Sequence, residues 1–379
     1  MRKTSVRRPS RSPVRIALVM IVRNEAESIA RCLLSAKGAV DEMIVLDTGS
    51  TDATISIARD LGAKVFEWAW RDDFAAARNE ALSHSKADWH LILDADEWLI
   101  GDAQLLRQVA QREHASGGGF IGQLVIKSPL DEQRGEAPSA ESSAEAERSL
   151  LAFDDEFAGS KVYFSRVPRF FPRDVRYVGR IHEQPMSARP IQFRNLAVEI
   201  GHDGYLWRKV AQKKGRNRAL LLKSIVEEPD SAYLHYQLGK DYDIYGDYAL
   251  AVESYEKALH LVQPGHSFRT DVVVRTLVCL KNVGLLELAY KFAEDEMPYC
   301  QKSPDFFFVL AHIMMSLASI QTHRARDEWL PMARISLLFA LKIGEAPEIE
   351  GSVSGRGTHL AASVLAALDQ TLAQLNGTG

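Results

Sequence analysis

The chain has 379 residues, 46% of them hydrophobic and 25% charged, with a net charge of −4. That length admits two domains with a sizeable core, and so small a charge excludes a general nucleic-acid binder that works by neutralising phosphates. The three cysteines, Cys32, Cys279 and Cys300, form no CxxC pair, which argues against a disulfide framework or a zinc site and for a reducing cytoplasm.

The opening "MRKTSVRRPSRSPVR" is basic and proline-containing, and no apolar signal region follows it. It reads as a solvated tail over residues 1–13, not a signal peptide, with a weak contact to an anionic membrane surface or a polyanionic acceptor as the alternative. No apolar run reaches the ~18 residues of a membrane span. The expected location is the cytoplasm, at most peripheral to an inner membrane.

From Arg15 the pattern alternates. "RIALVMIV" predicts a strand, "NEAESIARCLLSA" a helix, "EMIVLD" a strand, and "TDATISIARDL" a helix closed by Gly62. "KVFEWAW" predicts a third strand, "DFAAARNEALSHS" a helix, and "WHLIL" a fourth strand. Four strands alternating with three helices imply right-handed crossovers and a parallel sheet covered on both faces. Ligands of such sheets sit at the carboxyl ends of the strands, where Arg23, Asn24, Glu25, Asp47, Asp94 and Asp96 fall.

"FIGQLVIKS" predicts a further strand, and the acidic, Ser- and Ala-rich residues 130–157 an insertion without regular structure. "VYFSRVPRFFP", "YVGRIHEQP" and "LAVEIGHDGY" then resume an extended pattern. From about Trp207 the character is helical. "AYLHYQLGKDYDIYGDYALAVESYEKALHLVQP" fits a tetratricopeptide repeat through Leu238, Gly239, Tyr242, Ala251, Tyr255, Ala258 and Pro264. Weaker helical pairs follow around Val272–Met297 and Phe306–Ile343, and "GSVSGRGTHLAASVLAALDQ" supplies a Gly-rich link and a capping helix.

The chemistry gathers at the strand ends. Asp94 and Asp96 are two apart, so on an extended segment both face one way. Two hard oxygen donors suit Mg²⁺ or Mn²⁺, which take their other ligands from water and substrate phosphates. In "IVLDTGSTDAT", Gly49 permits a tight turn, Ser50 can cap the following helix and Asp52 suits its first turn. Asp47 is left without such an explanation. Arg78 shares a helix face with Phe74 and Leu82, so its guanidinium lies along the stripe that should pack on the sheet. That position is met either by snorkelling or by a polar pocket shared with Asp47 for a nucleobase. His182 and Glu183 make no HExxH motif, and His202 with Asp203 forms a second histidine-containing turn.

Together "MIVRNEAESI", "VLDTGSTDAT", "AAARNEAL", "LILDADEW", "GRIHEQP" and "GHDGY", spanning roughly residues 14–207, resemble the family 2 inverting glycosyltransferases of GT-A fold. The likeness is greatest to the bacterial branch whose catalytic domain is followed by tetratricopeptide-like helices, a branch that includes peptide S-glycosyltransferases. The resemblance implies an α/β GT-A domain at 14–207, Rossmann-like with a mostly parallel sheet, followed by an all-α tetratricopeptide-like domain at 208–379. It implies that Asp47 and Arg78 hold the nucleobase, that Asp94 and Asp96 bind the ribose and a divalent metal (Mn²⁺ or Mg²⁺), and that His182 is a ligand to the metal or diphosphate. The donor site is then Val22, Arg23, Asn24, Glu25, Asp47, Arg78, Asp94 and Ala95, with a UDP-sugar as the first choice of donor and a hexosyl group as the sugar. Transfer needs a base for the acceptor proton. Glu183 and Glu97 are the candidates, with Glu183 preferred because Glu97 adjoins the metal cluster.

The expected acceptor is a glycan, peptide or protein, and the repeats are expected to bind an acceptor peptide, to mediate a homodimer or another protein contact, or only to support the catalytic domain. A nucleotidyltransferase lacks its expected P-loop here. A repeat scaffold with an inactive α/β domain predicts a broken DxD, whereas "DAD" is intact.

Overall fold

The structure, a computed structural model, describes residues 13–102, 104–129, 162–202, 215–346 and 349–377. The basic tail, the acidic insertion, Asp203 and Trp207 lie outside the described residues. The described residues divide into two compact units, one of 13–125, 167–179 and 183–202, the other dominated by the helices from 215 onward.

The first unit is built on strands β1 (Ile16–Val22), β2 (Glu42–Asp47), β3 (Lys64–Glu67) and β4 (Trp89–Ile92), with helices α1 (Ile29–Ala36), α2 (Thr54–Asp60) and α3 (Phe74–Ser83) between them. β5 (Glu97–Ile100), α4 (Gln104–Ser116), β6 (Phe120–Pro129), β7 (Val162–Pro172) and β10 (Gln192–His202) complete an eight-stranded sheet in the order β3-β2-β1-β4-β7-β6-β10-β5. The first four strands run parallel, as their crossovers require. β7 pairs antiparallel with β4, and β5 antiparallel with β10, so the whole sheet is mixed. β8 (Arg176–Val178) and β9 (Gln184–Met186) form a separate two-stranded ribbon.

β1 and β2 are apolar along nearly their whole length because both faces are covered. Ala17, Val19, Ile44, Leu46 and Ile92 pack on one side against Ala75, Ala77, Ala81 and Leu82 of α3. The small side chains of α3 let it lie close to the sheet, which carries Arg78 to the strand ends.

Three local expectations are corrected. α1 begins at Ile29 and not near Asn24, because Asn24 adopts a left-handed φ of 56° and residues 24–26 turn their N–H groups to side chains of the next loop. Ser50 does not cap α2, whose N-cap is Ala53; its hydroxyl accepts the Asn24 N–H at 2.9 Å instead. Asp52 lies ahead of the helix and accepts from Ala26 N and from Thr54.

The second unit holds α5 (Arg216–Glu227), three helix pairs, and α12 (His359–Gly377). The pairs are α6 (Ala232–Ile244) with α7 (Tyr248–Leu261), α8 (Arg269–Asn282) with α9 (Leu286–Glu296), and α10 (Pro304–Ile320) with α11 (Leu330–Ile343). In the first pair, a Cβ on Gly239 would lie 2.3 Å from the buried Tyr255 ring, so only glycine lets the two helices close. One continuous core runs from Val273 through the largely buried α10 to Leu368. All three cysteines are buried and unpaired. Among the described residues no single helix is long and apolar enough to cross a membrane.

His90, on β4, is fully buried with neither ring nitrogen hydrogen-bonded. Burial, reinforced by Arg176 and Arg173, pushes its imidazole down to about 4. The unfolded chain therefore binds this proton first, and stability is lost as pH falls from about 6.5 towards 4. Exchanging His90→Leu should flatten that slope, raising stability at pH 5 relative to pH 7 by up to about 2 kcal/mol. Urea unfolding at the two pH values checks it; an unchanged slope would show that His90 is not its source.

Candidate active site

The carboxyl ends of β1 and β2 carry two loops that are sewn together by side chains. Asn24 Oδ1 accepts from Thr51 N at 2.8 Å, Thr54 Oγ1 accepts from Glu25 N at 2.8 Å, and Thr48 donates twice to the Val22 carbonyl. Glu25 itself accepts from Ser28 Oγ. Val22, Asn24 and Glu25, expected in the donor site, thus have structural bonds that shape the loop, and Arg23 stands exposed on it.

Asp47 ends β2 opposite Val22. Its Oδ1 accepts from Gly49 N and Ser50 N at 2.9 and 2.8 Å, in a turn that Gly49 makes at φ 113°. Its Oδ2 is buried and has no hydrogen-bond partner. A buried carboxylate oxygen calls for a donor, and this one is an acceptor fixed in place by its turn.

Beyond β4 the chain turns tightly, with Glu97 N donating to Asp94 O and Asp94 N to Glu97 Oε2, both at 2.9 Å. Two arginines close on this turn. Arg78 of α3 donates from Nη2 to Asp94 Oδ1, and Arg169 of β7 from Nη2 to Asp94 Oδ2, each at 2.8 Å. Arg169 also reaches Glu97 Oε1 at 2.6 Å, and Arg78 Nε donates in a short bond to Glu183 Oε1. Burial alone would raise the Asp94 carboxyl, but the two guanidiniums hold it far below the usual carboxylate range. Burial pushes the Glu97 carboxyl up, against Arg169.

Arg78 therefore lies beside Asp94 and Glu183, with its guanidinium 5.4 Å from the Tyr177 ring. Asp47 is not among its hydrogen-bond partners. Its Nη1 is buried without one, as is Arg169 Nε. Burial pushes the Tyr177 hydroxyl up to about 12, keeping it protonated. The neighbouring Asn79 holds β8 by a two-way amide bond with Tyr177 N and O, both at 2.8 Å.

Asp96 has a different neighbour. Its Oδ2 stands 3.7 Å from Nε2 of His202, which β10 brings alongside through the pairing of His202 with Glu97. Ala95 is buried between the two aspartates. His182, at φ 51°, groups with the second unit, where burial and the Lys240 charge push its imidazole down to about 4. Trp98 lies over Gly201, where any Cβ would come within 2.2 Å of the indole, and under Arg31 at 3.6 Å.

Among the described residues no three His, Cys, Asp or Glu side chains converge as a metal cage. Asp96 and His202 nevertheless supply one hard oxygen and one imidazole nitrogen side by side. Such a pair fits a divalent cation that fills its shell from phosphate oxygens and water. Asp94, with both oxygens held by arginine, fits that role less well.

Arg169 is the residue that reading the sequence missed. Its only signal was a charge inside the apolar run "VPRFFP". Replacing Arg169→Met should leave the buried Glu97 without its cation and Asp94 with Arg78 alone, at a cost of about 3 kcal/mol or more. Thermal unfolding of the variant, alone and combined with Glu97→Gln, checks this; full stability in the single variant would show the pairing to be dispensable.

The family model described as Glycosyl transferase family 2 matches residues 17–169. A TPR repeat-containing protein of Synechococcus elongatus is 32% identical over 72% of this chain and 64% of its own. The SPbeta prophage-derived glycosyltransferase SunS of Bacillus subtilis is 23% identical over 74% of this chain and 63% of its own. The chain thus spans just under two thirds of either relative. An uncharacterized glycosyltransferase of Rickettsia felis is 43% identical over 24% of this chain and 31% of its own. Glucosyl-3-phosphoglycerate synthase from Mycobacterium tuberculosis, solved with Mn²⁺, uridine-diphosphate-glucose and phosphoglyceric acid, aligns at 22% identity over 44% of this chain and 62% of that one, with a TM-score of 0.26. The strand-end acid cluster of Asp47, Asp94, Asp96 and Glu97 lies within the residues that match the model described as Glycosyl transferase family 2.

Proposed function

We propose that the protein transfers a sugar, a hexose in the first instance, from a uridine-diphosphate donor to a hydroxyl or thiol of a glycan, peptide or protein, with inversion at the anomeric carbon. The observation that carries this reading is Asp47 Oδ2, a buried acceptor with no partner at the end of a parallel strand. An imide N–H such as that of uracil supplies the missing donor. Arg78 Nη1 and Arg169 Nε, also buried and unpartnered, offer hydrogen bonds to ribose or diphosphate oxygens near Asp94.

Asp96 and His202 would hold a divalent cation, which when bound supplies a Lewis acid for the departing diphosphate. Glu183 is the proposed base. Arg78 fixes its Oε1 and leaves Oε2 to accept the proton of the acceptor hydroxyl or thiol. The new bond to the anomeric carbon forms on the face opposite the donor oxygen. The old C–O bond breaks with its electron pair on the nucleoside diphosphate. Glu97 is too deeply enclosed by Arg169 and the Asp94 N–H for this role and is assigned to holding the turn. Asp94 positions Arg78 and Arg169 and faces the ribose.

With UDP-glucose at a hundred times its Kd, the unfolding free energy should rise by about 2.7 kcal/mol. Asp47→Asn, which turns a donor towards the uracil N–H, should weaken UDP binding at least tenfold, as titration calorimetry would read. Undiminished affinity would remove Asp47 from the base pocket. Glu183→Gln should lower transfer by a factor of about 100 or more while the UDP-glucose shift persists. Retained transfer in that variant would reassign the base.

A further inference from the structure

Between α11 and α12 the segment Ile349–Thr358, "IEGSVSGRGT", has no regular structure and lies on the helix pairs. It touches α8 and α10, and it is also tied to its own flanks, with Gly355 N donating to Glu345 Oε1 at 2.8 Å and Leu360 N of α12 to the Gly355 carbonyl at 2.9 Å. On α8, Asp271 accepts from Tyr236 Oη of α6 at 2.5 Å and from Arg275 Nε at 2.7 Å, and Arg275 also reaches Asp243 of α6 at 3.1 Å. This polar group is satisfied by the helices themselves. Gly351 crosses directly over it at φ 78°, so close that a Cβ would lie 1.9 Å from Asp271 Oδ1.

Asp305, in the first turn of α10, is different. It is only 3% exposed, and every hydrogen-bond donor it has comes from the segment. Ser352 Oγ donates to Oδ2 at 2.9 Å; Val353 N at 3.0 Å and Arg356 Nη1 at 2.8 Å donate to Oδ1. Arg356 is itself 2% exposed and stands 5.7 Å from the Phe308 ring of α10. A buried carboxylate needs a partner charge, and the helices supply none. The face of α8 and α10 is therefore complete only when a peptide brings it a hydroxyl, a backbone N–H and a guanidinium.

We propose that this face is a peptide-binding site held shut by the chain's own segment 349–356, and that its incoming ligand is a peptide with a small residue, then serine or threonine, and an arginine four residues after that hydroxyl. Exchange of the internal segment for such a peptide replaces each contact by its like, so Asp305 is never left bare. The tethered segment competes at an effective concentration in the millimolar range, which keeps the site closed to weak ligands. The inference stands independently of the transferase reading and is tested by binding alone.

The probe is a fluorescein-labelled peptide of residues 349–358, titrated into the full chain and followed by anisotropy. Gly351→Val places a side chain against Asp271 and displaces the segment without altering a helix. It should bind the probe at least tenfold more tightly than the unsubstituted chain, and adding Asp305→Asn should abolish the gain. A peptide carrying Arg356→Ala should not bind. Equal affinity for Gly351→Val and the parent chain, both folded by circular dichroism, overturns the proposal. Hydrogen exchange on the unsubstituted chain decides the matter even where the variant fails to fold. The Val353 and Gly355 amides should exchange at least tenfold faster than the interior amides of α10 and α12. Exchange of all of them as one unit would make the segment ordinary core.

Discussion

Asp94 sits between two arginines, and the arrangement of the strand ends follows from that contact. A carboxylate at the end of an apolar strand must either reach water or find cations. Here Arg78 arrives from α3 and Arg169 from β7, so one aspartate fastens three elements far apart in sequence. The same two guanidiniums extend to the half-buried Glu183 and the buried Glu97, giving two cations shared among three carboxylates. The clamp also divides the labour of the two aspartates, since Asp94 is occupied by arginine and Asp96 is directed to His202.

The loops beside the clamp show how much of a motif can be architecture. Asn24, Thr48, Ser50, Asp52 and Thr54 spend their side chains on backbone groups of the neighbouring loop. Local bonds of this kind replace the first turn of α1 and delay α2. Their effect is rigidity. Asp47 is held by two N–H groups on one oxygen, which is why its other oxygen can remain buried and bare without collapsing onto a neighbour.

In the helical unit, burial of polar groups is again what distinguishes ordinary packing from a surface with a ligand. Most of its core is apolar and continuous across the helix pairs, as stacked repeats require. Where carboxylates are buried, the helices pair them among themselves, as Asp243 and Asp271 are paired by Arg275. Asp305 departs from that rule, because its partners come from a segment of irregular backbone that glycines at 351 and 355 allow to approach.

The alternation of strand and helix from Arg15 to Ile92, the strand bounds of β2 and β7, and the three helix pairs were legible in the sequence, because each rests on a local period of apolar residues. So was the anomaly of Asp47 and Arg78, since a charge on an apolar stripe is visible without coordinates. The side-chain targets were not legible. Whether Ser50 caps its own helix or bonds across to Asn24 is a contest between equally near partners, and the geometry of two loops settled it. Arg78 was readable as buried, but that it meets Glu183, 105 residues on, depended on a ribbon placed by Asn79. Arg169 and His202 join the site only because β7 lies beside β4 and β10 beside β5. Composition and periodicity determined which segments would be strands and which helices. Long-range pairing decided which charges share a site, because a strand's neighbours are chosen by the whole sheet and not by its own residues.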